Sequence, residues 1–364
     1  MTTDAPAGPG TAVPTGSVIR LAPSGKEVPC PPGDTVLAAL ERAGYALPNN
    51  CRAGACGECR TKVLSGAIDQ GVVLDMALSP ADRAAGYGLM CMAKPVSPVV
   101  EIEYGTLDAL PRLFPPRERV LSVVTDKIPR TPSIVEVRLR PVGPPLRFWP
   151  GQYVMLGDPD AGAPPRPYSL ANAPRPDGEL HLLVARVPEG RTSGWIHERL
   201  TVGDRVRIDG PYGTFVGDPN IDTPVLCLAG GSGLAPILSL TDAALRRGFP
   251  HPVTILFSAR TPADVVAPGL MAWWEARHRK FRFRVTYTGP DAPAGELTGR
   301  IPTVLDRVAP DLSATSVFIA GSPDFVEDCR TAATALGAAE ERIFTERYVP
   351  QATAETPPPE RLAS

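Results

Sequence analysis

The clearest hydrophobic pattern lies in the last third of the chain, where short apolar runs alternate with amphipathic segments. The pattern predicts strands at 224–229, 252–257, 282–287, 316–320 and 342–348, and helices at 235–247, 302–308 and 324–336. Pro236 in the first turn of the first helix and Gly248 just past its end are typical boundary residues. Alternating strands and helices indicate a parallel α/β sheet in a domain at 222–350.

The middle of the chain, 118–221, has a different pattern of short strands separated by proline and glycine turns. Strands are predicted at 120–126, 134–140, 153–156, 180–186 and 205–209. One helix is predicted at 193–200, with Ser193 as its N-cap. Closely spaced short strands of this kind are typical of an antiparallel β-barrel.

The first hundred residues predict a small mixed α+β domain at 17–104. Its expected strands are 17–21, 26–30, 61–64 and 99–104, and its expected helix covers 35–42 after Asp34 as N-cap. The proline-rich stretch 105–117 is interpreted as a stiff linker. The composition of 1–16 and 351–364 predicts disordered tails.

Composition narrows the classes of function. The 364 residues carry a formal net charge of −2, which argues against a basic nucleic-acid-binding surface. No apolar run approaches the roughly 18 residues that a membrane span needs. The N-terminus lacks the basic and apolar regions of a secretory signal, so a cytoplasmic location is expected, where thiols stay reduced.

Four of the seven cysteines have a spacing that predicts a metal centre. Cys51, Cys56 and Cys59 form C-x4-C-x2-C and Cys91 follows at a distance, which is the plant-type spacing for a 2Fe–2S cluster. Structural zinc remains an alternative, although zinc sites usually show paired C-x2-C elements. A disulfide scaffold is disfavoured by the odd cysteine count in a long chain. The sequence CRAGAC at this loop also resembles plant-type ferredoxins.

A second motif, Arg166-Pro167-Tyr168-Ser169, is predicted at the end of a proline-rich loop in the middle domain. Arginine can hold a diphosphate, tyrosine can lie against a planar ring, and a serine hydroxyl can hydrogen-bond a ring nitrogen. The later run from Gly190 to Ser193 leads into a predicted helix, whose N-terminus can bind phosphate. Alone, the four residues could also be a turn with a surface arginine.

A third motif, from Gly230 to Pro236, lies between a predicted strand and a predicted helix. Gly230, Gly231 and Gly233 would let backbone amides approach a diphosphate at the helix N-terminus. Pro236 stands where the last glycine of G-x-G-x-x-G would be, so the motif is not a Rossmann fingerprint. A strand–helix turn packed on glycine is the alternative interpretation.

With these motifs in order, residues 17–350 resemble the ferredoxin–NADP⁺ reductase superfamily. The resemblance implies that Arg166 binds the flavin pyrophosphate, while Tyr168 and Ser169 contact the isoalloxazine as the catalytic residues. It implies further that Gly190 and Ser193 contact the same pyrophosphate and that the loop at Gly230, Gly231 and Gly233 binds the pyridine nucleotide. Two further residues follow from the resemblance: Gly321 shapes the nicotinamide pocket, and Tyr348 is the C-terminal aromatic residue that shields the flavin.

The domain order is similar to that of the reductase components of bacterial multicomponent mono- and dioxygenases. The resemblance implies a β-grasp 2Fe–2S domain, a flavin β-barrel and a nucleotide-binding domain. It also implies electron transfer from NADH through FAD and the cluster to an oxygenase component or its small carrier protein. Two alternatives stay open: a reductase of the same build for another acceptor, such as a deoxysugar-forming dehydratase, and a non-catalytic iron–sulfur carrier or scaffold.

The choice between NADH and NADPH depends on the side chains at the end of the second strand of the last domain. Arg260 could receive the 2′-phosphate of NADPH, whereas an acidic residue there would favour NADH. No acidic residue ends the strand itself, and Asp264 comes four residues after Arg260. Because Ala259-Arg260-Thr261 is similar to segments of NADH-using relatives, NADH is expected as the donor.

Overall fold

The computed structural model describes residues 16–105, 109–110, 112–218 and 220–349. The chain divides into two compact units. The first unit contains residues 1–117 together with 210–214, and the second contains 118–209 and 215–364. Apart from Gly16, both predicted tails lie outside the described residues.

The first unit is a small mixed sheet with one main helix. Its elements are β1 (Ser17–Ala22), β2 (Lys26–Cys30), α1 (Val36–Arg42), β3 (Arg60–Ser65), β4 (Ile68–Asp69), α2 (Pro80–Ala84), β5 (Tyr87–Leu89), β6 (Lys94–Pro95) and β7 (Val99–Glu103). Five strands form one sheet in the order β2-β1-β7-β3-β5, and β4 pairs with β6. Strands β1 and β2 form the expected antiparallel hairpin, whereas β1 and β7 run parallel.

Helix α1 buries its apolar face and begins one residue later than expected. The Thr35 hydroxyl, not the Asp34 side chain, accepts the capping hydrogen bond from the Ala38 amide, at 3.2 Å. Asp34 instead forms an ion pair with Arg42, 2.7 Å from its guanidinium. Leu37 and Leu40, both fully buried, anchor the helix in the core of this unit.

The described part of the predicted linker packs against the first unit. Ala109 is buried in its hydrophobic core. The amides of Arg112 and Leu113 both donate to the Gly44 carbonyl, at 2.9 Å each. These residues therefore do not form a free tether.

A six-stranded barrel with one helix follows, and it lies in the second unit except for residue 117 and the last residues of its final strand, 210–212. The elements are β8 (Arg117–Thr131), β9 (Ile134–Pro141), β10 (Tyr153–Asp158), β11 (Ala163–Ser169), β12 (Leu180–Ala185), α3 (Arg191–Glu198) and β13 (Arg205–Tyr212). Their order is β11-β10-β13-β8-β9-β12, and an antiparallel bridge between Leu170 and Leu182 joins the two outer strands. That bridge closes the sheet around a core of aliphatic side chains.

Two local predictions in the barrel are wrong. Arg166, Tyr168 and Ser169 lie on strand β11 and not at the end of a loop. Strand β11 lies at one end of the strand order and pairs along its length only with β10. Proline has no amide hydrogen, but a strand in this position does not need one on both sides, so the prolines are tolerated. Ser193 lies inside helix α3, whose N-cap is Gly190.

The last part of the second unit is a parallel α/β sheet. Its elements are β14 (Val225–Gly230), α4 (Leu234–Arg246), β15 (Val253–Ala259), α5 (Pro268–Arg277), β16 (Phe281–Tyr287), β17 (Leu297–Thr298), α6 (Leu305–Val308), β18 (Ser316–Gly321), α7 (Pro323–Ala335) and β19 (Ile343–Arg347). The order is β17-β16-β15-β14-β18-β19, with parallel pairing throughout. From β14 the chain first proceeds to β15 and β16, and later returns to add β18 and β19 on the other side. The crevice between the carboxyl ends of β14 and β18 is therefore a topological switch point, where open α/β sheets bind ligands.

Candidate functional site

The four cysteines predicted as metal ligands lie together in the first unit as two hydrogen-bonded pairs. The Cys56 thiol hydrogen-bonds to Cys51 and lowers the pKa of Cys51 to about 5, while burial opposes this shift. Cys59 and Cys91 form the second pair, in which their hydrogen bond lowers the pKa of Cys91 and raises that of Cys59. Such a pairing suits the two irons of a 2Fe–2S cluster, each of which takes two thiolates. Across the described ranges, no three His, Cys, Asp or Glu side chains are arranged to hold a single metal ion.

The loop between Cys51 and Cys56 directs its backbone amides at sulfur. The amides of Ala53, Ala55 and Cys56 donate to the Cys51 Sγ at 3.4, 3.3 and 3.3 Å. Gly54 makes this curl possible, because its φ of +67° is a conformation that other residues rarely adopt. Amide donors of this kind stabilise thiolates and help to set cluster potentials. The loop therefore fits a 2Fe–2S cluster, with the four cysteines as its ligands.

The second sequence motif, Arg166-Pro167-Tyr168-Ser169, lies on β11 in the second unit. Arg166 and Tyr168 are two positions apart, so they face the same side of the strand, and Ser169 faces the other. The Arg166 guanidinium donates to the neutral carbonyl of Pro165 at 3.1 Å, which leaves its charge available to an anion. Burial raises the pKa of Tyr168, so its phenol stays protonated near neutral pH.

Helix α3 presents an N-terminus that has no side-chain cap. A Cβ atom at Gly190 would lie 2.7 Å from the Ser193 Oγ and 2.9 Å from the Val187 side chain, so glycine is needed in this turn. The Ser193 hydroxyl accepts from the Val187 amide at 3.1 Å and donates to the Gly190 carbonyl at 3.2 Å. Ser193 thus shapes the turn, and its contact with a phosphate stays a prediction. Uncapped amides at a helix N-terminus suit a pyrophosphate.

The glycine loop after β14 lies at the switch point of the parallel sheet. A Cβ at Gly233 would lie only 2.3 Å from the Ala320 carbonyl oxygen at the end of β18, so no side chain fits there. Gly231 has a φ of +54° and turns the chain into α4. Gly230 ends β14 beside the ring of Phe325. The arrangement fits a dinucleotide diphosphate bound at the start of α4.

Tyr348 contacts both the Arg166–Ser169 motif of the barrel and the carboxyl ends of two strands of the parallel sheet, β14 and β18. Its hydroxyl donates to the Ser169 Oγ at 3.0 Å and lies 3.5 Å from the Ser232 carbonyl oxygen. Its amide donates to the Gly321 carbonyl at 2.8 Å. Burial raises the pKa of Tyr348, so the phenol remains a donor and the Ser169 hydroxyl keeps its own proton for another acceptor.

Arg260 lies just past the carboxyl end of β15, with 75% of its side chain exposed. Its guanidinium is 3.8 Å from the Asp264 carboxylate. Asp264 also accepts from the Thr261 amide at 3.1 Å and from the Thr261 hydroxyl at 2.9 Å. The structure therefore places an acidic group beside Arg260, although the strand itself ends without one.

Sequence reasoning assigned no role to three residues at these sites, although it noted Asp264 after Arg260. The carbonyl of Ser232 near Tyr348 carries no sequence signal, because any residue supplies a carbonyl. Asp264 stands three residues after Thr261, which is the capping-box spacing and could have been recognised. Glu41 is polar on the buried face of α1, and a carboxylate at a core position of an amphipathic helix is also a readable signal.

Three family models match the chain in the order of its parts. A 2Fe-2S iron-sulfur cluster binding domain matches residues 19–96, an oxidoreductase FAD-binding domain matches 124–216, and an oxidoreductase NAD-binding domain matches 227–331. The described helices include none that is both long and apolar enough to cross a membrane.

Similar proteins extend over nearly the whole chain. The reductase subunit of an aromatic O-demethylase from Amycolatopsis is 35% identical over 90% of this chain and 97% of its own length. The ferredoxin–NAD(+) reductase component of the alkene monooxygenase system of Xanthobacter autotrophicus is 32% identical over 89% of this chain and 98% of its own. The crystal structure of an Amycolatopsis cytochrome P450 reductase has a TM-score of 0.83 and 33% identity, covering 92% of this chain and 99% of the other.

The chain therefore belongs to the reductases of the ferredoxin–NADP⁺ reductase superfamily that carry an N-terminal 2Fe–2S domain. It is an oxidoreductase with binding domains for a 2Fe–2S cluster, FAD and a nicotinamide nucleotide, as the sequence predicted. The multidomain fold of small ferredoxin domain, barrel and parallel sheet is likewise confirmed.

Proposed function

We propose that this protein is the NADH-dependent reductase component of a multicomponent oxygenase. Electrons enter from NADH and leave through the cluster to an oxygenase component or its small carrier protein. The flavin supplies the required chemistry, because it accepts two electrons as a hydride and can release them one at a time to the cluster. The protein's own residues bind and orient these groups.

The observation that carries the proposal is the convergence of Ser169, Gly321 and Tyr348 at the switch point of the sheet. Tyr168 and Ser169 would hold the isoalloxazine, with the Ser169 proton directed at a ring nitrogen. Arg166 and the N-terminus of α3 would hold the pyrophosphate of FAD. The Gly230–Gly233 loop would hold the nicotinamide nucleotide close to Tyr348, whose hydroxyl lies 3.5 Å from the Ser232 carbonyl oxygen.

The preference for NADH is supported by the pair of Arg260 and Asp264. A 2′-phosphate that approached Arg260 would also approach the Asp264 carboxylate, 3.8 Å from the guanidinium. Repulsion between the two anions offsets the attraction to arginine. A ribose hydroxyl carries no charge and meets no such repulsion.

The proposed acceptor rests on the relatives, which are named as reductase components of oxygenase systems. Examples are reductase component 1 of terephthalate 1,2-dioxygenase from Comamonas, at 32% identity over 85% of this chain, and the reductase component of the alkene monooxygenase system from Xanthobacter. A cytoplasmic location is part of the proposal. The three cysteines outside the predicted cluster, Cys30, Cys227 and Cys329, form no disulfide, and such thiols persist in a reducing compartment.

The test combines the purified reductase with a candidate oxygenase component from the same organism. We expect product formation and oxygen uptake only when NADH, reductase and oxygenase are all present. The matched control replaces the reductase with its Cys59→Ser variant, which lacks one predicted cluster ligand. Product formation that does not depend on the reductase, or NADH oxidation that never couples to product, would contradict the proposed acceptor.

A further inference from the structure

Helix α1 carries a carboxylate into the interior of the first unit. Glu41 is only 4% exposed and lies on the same face as Leu37, in the hydrophobic core of that unit. Carboxylates are almost never buried to this degree unless they are paired, because burial removes their hydration. Glu41 is not one of the predicted metal ligands, and it lies outside the cofactor motifs of the sequence.

Both partners of Glu41 flank the first cysteine of the cluster loop. Its Oε1 accepts from the Arg52 guanidinium at 2.6 Å and from the Asn49 amide nitrogen at 3.3 Å. Its Oε2 is buried and has no partner among the described residues. Burial raises the pKa of Glu41 and the pair with Arg52 opposes this shift. Because arginine stays protonated and donates to this oxygen, the ionised carboxylate is the form that the contact selects.

Arg52 needs such a partner. Its φ of +54° is a left-handed conformation that a residue with a side chain rarely adopts. Its side chain is only 20% exposed, so the guanidinium also loses most of its hydration. The neighbouring Cys51 Sγ accepts hydrogen bonds from the amides of Ala53, Ala55 and Cys56, which follow the turn at Arg52.

We propose that Glu41 is a positioning residue that holds Arg52 beside Cys51 and sets the reduction potential of the cluster through the charge of the pair. The carboxylate cancels most of the field of Arg52 at the cluster. One-electron reduction adds a negative charge to the cluster, so an uncompensated cation next to Cys51 favours the reduced state. Net charge around the sulfurs is one of the factors by which proteins set cluster potentials.

The decisive variant is Glu41→Gln, which keeps the shape and an acceptor oxygen but removes the charge. We expect the midpoint potential of the cluster to become less negative. We expect the equilibrium constant for one-electron reduction to rise about tenfold, which corresponds to a shift of about 59 mV in the midpoint potential. The readout is a redox titration followed by electron paramagnetic resonance, with iron content measured on the same samples.

The matched control is Glu27→Gln, which makes the same change of charge in the first unit. Glu27 pairs with Arg20 at 2.9 Å, but both side chains are about half exposed, so water screens their charges. We expect this variant to keep the potential of the parent protein. An equal shift in both variants would show that only the net charge of the protein matters, and would overturn the proposal.

A double variant, Glu41→Gln with Arg52→Gln, separates charge from shape. Both members of the pair are then neutral, so the potential should return towards that of the parent protein. If the double variant keeps the full rise, the charge of Arg52 is not the cause and the proposal is wrong. Should Glu41→Gln fail to retain iron, Glu41→Asp and the double variant decide, because both are expected to keep the parental potential. A changed potential in either one overturns the proposal, as does an unchanged potential in an iron-replete Glu41→Gln protein.

Discussion

At the scale of single residues, the second unit joins groups that are far apart in sequence. Ser169 and Tyr348 are hydrogen-bonded at 3.0 Å across 179 positions. The bond uses a lone pair of Ser169 and leaves its proton for another acceptor, for which we propose a ring nitrogen of the flavin. Ser169 is therefore the residue whose loss should affect hydride transfer most directly.

Changing Ser169 to Ala should slow NADH-dependent ferricyanide reduction. Losing a hydrogen bond that leaves its partner buried costs about 1–3 kcal/mol, or roughly five- to hundredfold in kcat. Stopped-flow measurement of flavin reduction by NADH tests this step separately from cluster chemistry. The control is Ser313→Ala at an exposed loop serine. Unchanged flavin reduction in a flavin-replete Ser169→Ala protein would exclude the assigned role.

Arg260 is the second residue whose role can be measured. If NADH is the donor, Arg260→Ala should change its kcat/KM little. Removing a charge-assisted contact to a 2′-phosphate should cost about 1.5–3 kcal/mol, or roughly ten- to hundredfold in kcat/KM for NADPH. Side-by-side kinetics with both nucleotides give the ratio. A parent protein that prefers NADPH would overturn the proposed donor, and equal losses with both would show that Arg260 does not read the 2′ position.

At the scale of elements, the glycine loop between β14 and α4 is fixed by the neighbouring strand. A Cβ at Gly233 would meet the Ala320 carbonyl at 2.3 Å, and a backbone oxygen cannot move aside as a flexible side chain can. The start of α4 is thus held against the end of β18. The proposed nucleotide site at this loop would depend on the contact.

Gly233→Ala should displace the start of α4 and weaken NADH binding. Overpacking of this kind costs about 1–3 kcal/mol, and we expect KM for NADH to rise while the cluster and flavin content stay normal. Gly269→Ala is the matched control, because a Cβ there meets nothing within 4 Å and alanine favours the helix by up to about 1 kcal/mol. Normal NADH kinetics in Gly233→Ala would show that the loop does not need this close approach.

At the scale of the whole molecule, cluster and nucleotide chemistry belong to separate compact units. The four cysteines lie in the first unit, and the convergence around Tyr348 lies in the second. Each unit has its own hydrophobic core. Loss of the cluster should therefore leave the flavin site intact.

Cys59→Ser should remove the cluster and abolish electron delivery to the oxygenase, while ferricyanide reduction by NADH continues. The visible spectrum should keep its flavin bands and lose those of the iron–sulfur centre. Cys30→Ser is the control, because this buried cysteine lies outside the cluster loop and a hydroxyl can keep its contacts with the carbonyls of Pro31 and Asp34. Loss of ferricyanide reduction in a folded Cys59→Ser protein would contradict the independence of the two units.

The sequence by itself determined the features that depend on local spacing. The cysteine spacing predicted the cluster ligands, and alternating apolar runs predicted the parallel sheet, because both signals repeat over short distances in the chain. The same local rules failed at β11, because a strand at the end of the strand order tolerates residues that a central strand does not. The prolines of β11 argue against a strand, yet an outer strand does not need every amide.

Only the tertiary structure decided which distant groups meet. Tyr348 is predicted at the flavin site only by resemblance, and the structure adds that its hydroxyl donates to Ser169. Asp264 lies beside Arg260 because a capping turn folds it back, and Glu41 reaches Arg52 because α1 packs over the cluster loop. Such contacts arise from the path of the chain between elements, which the pattern of residue types within each element does not specify.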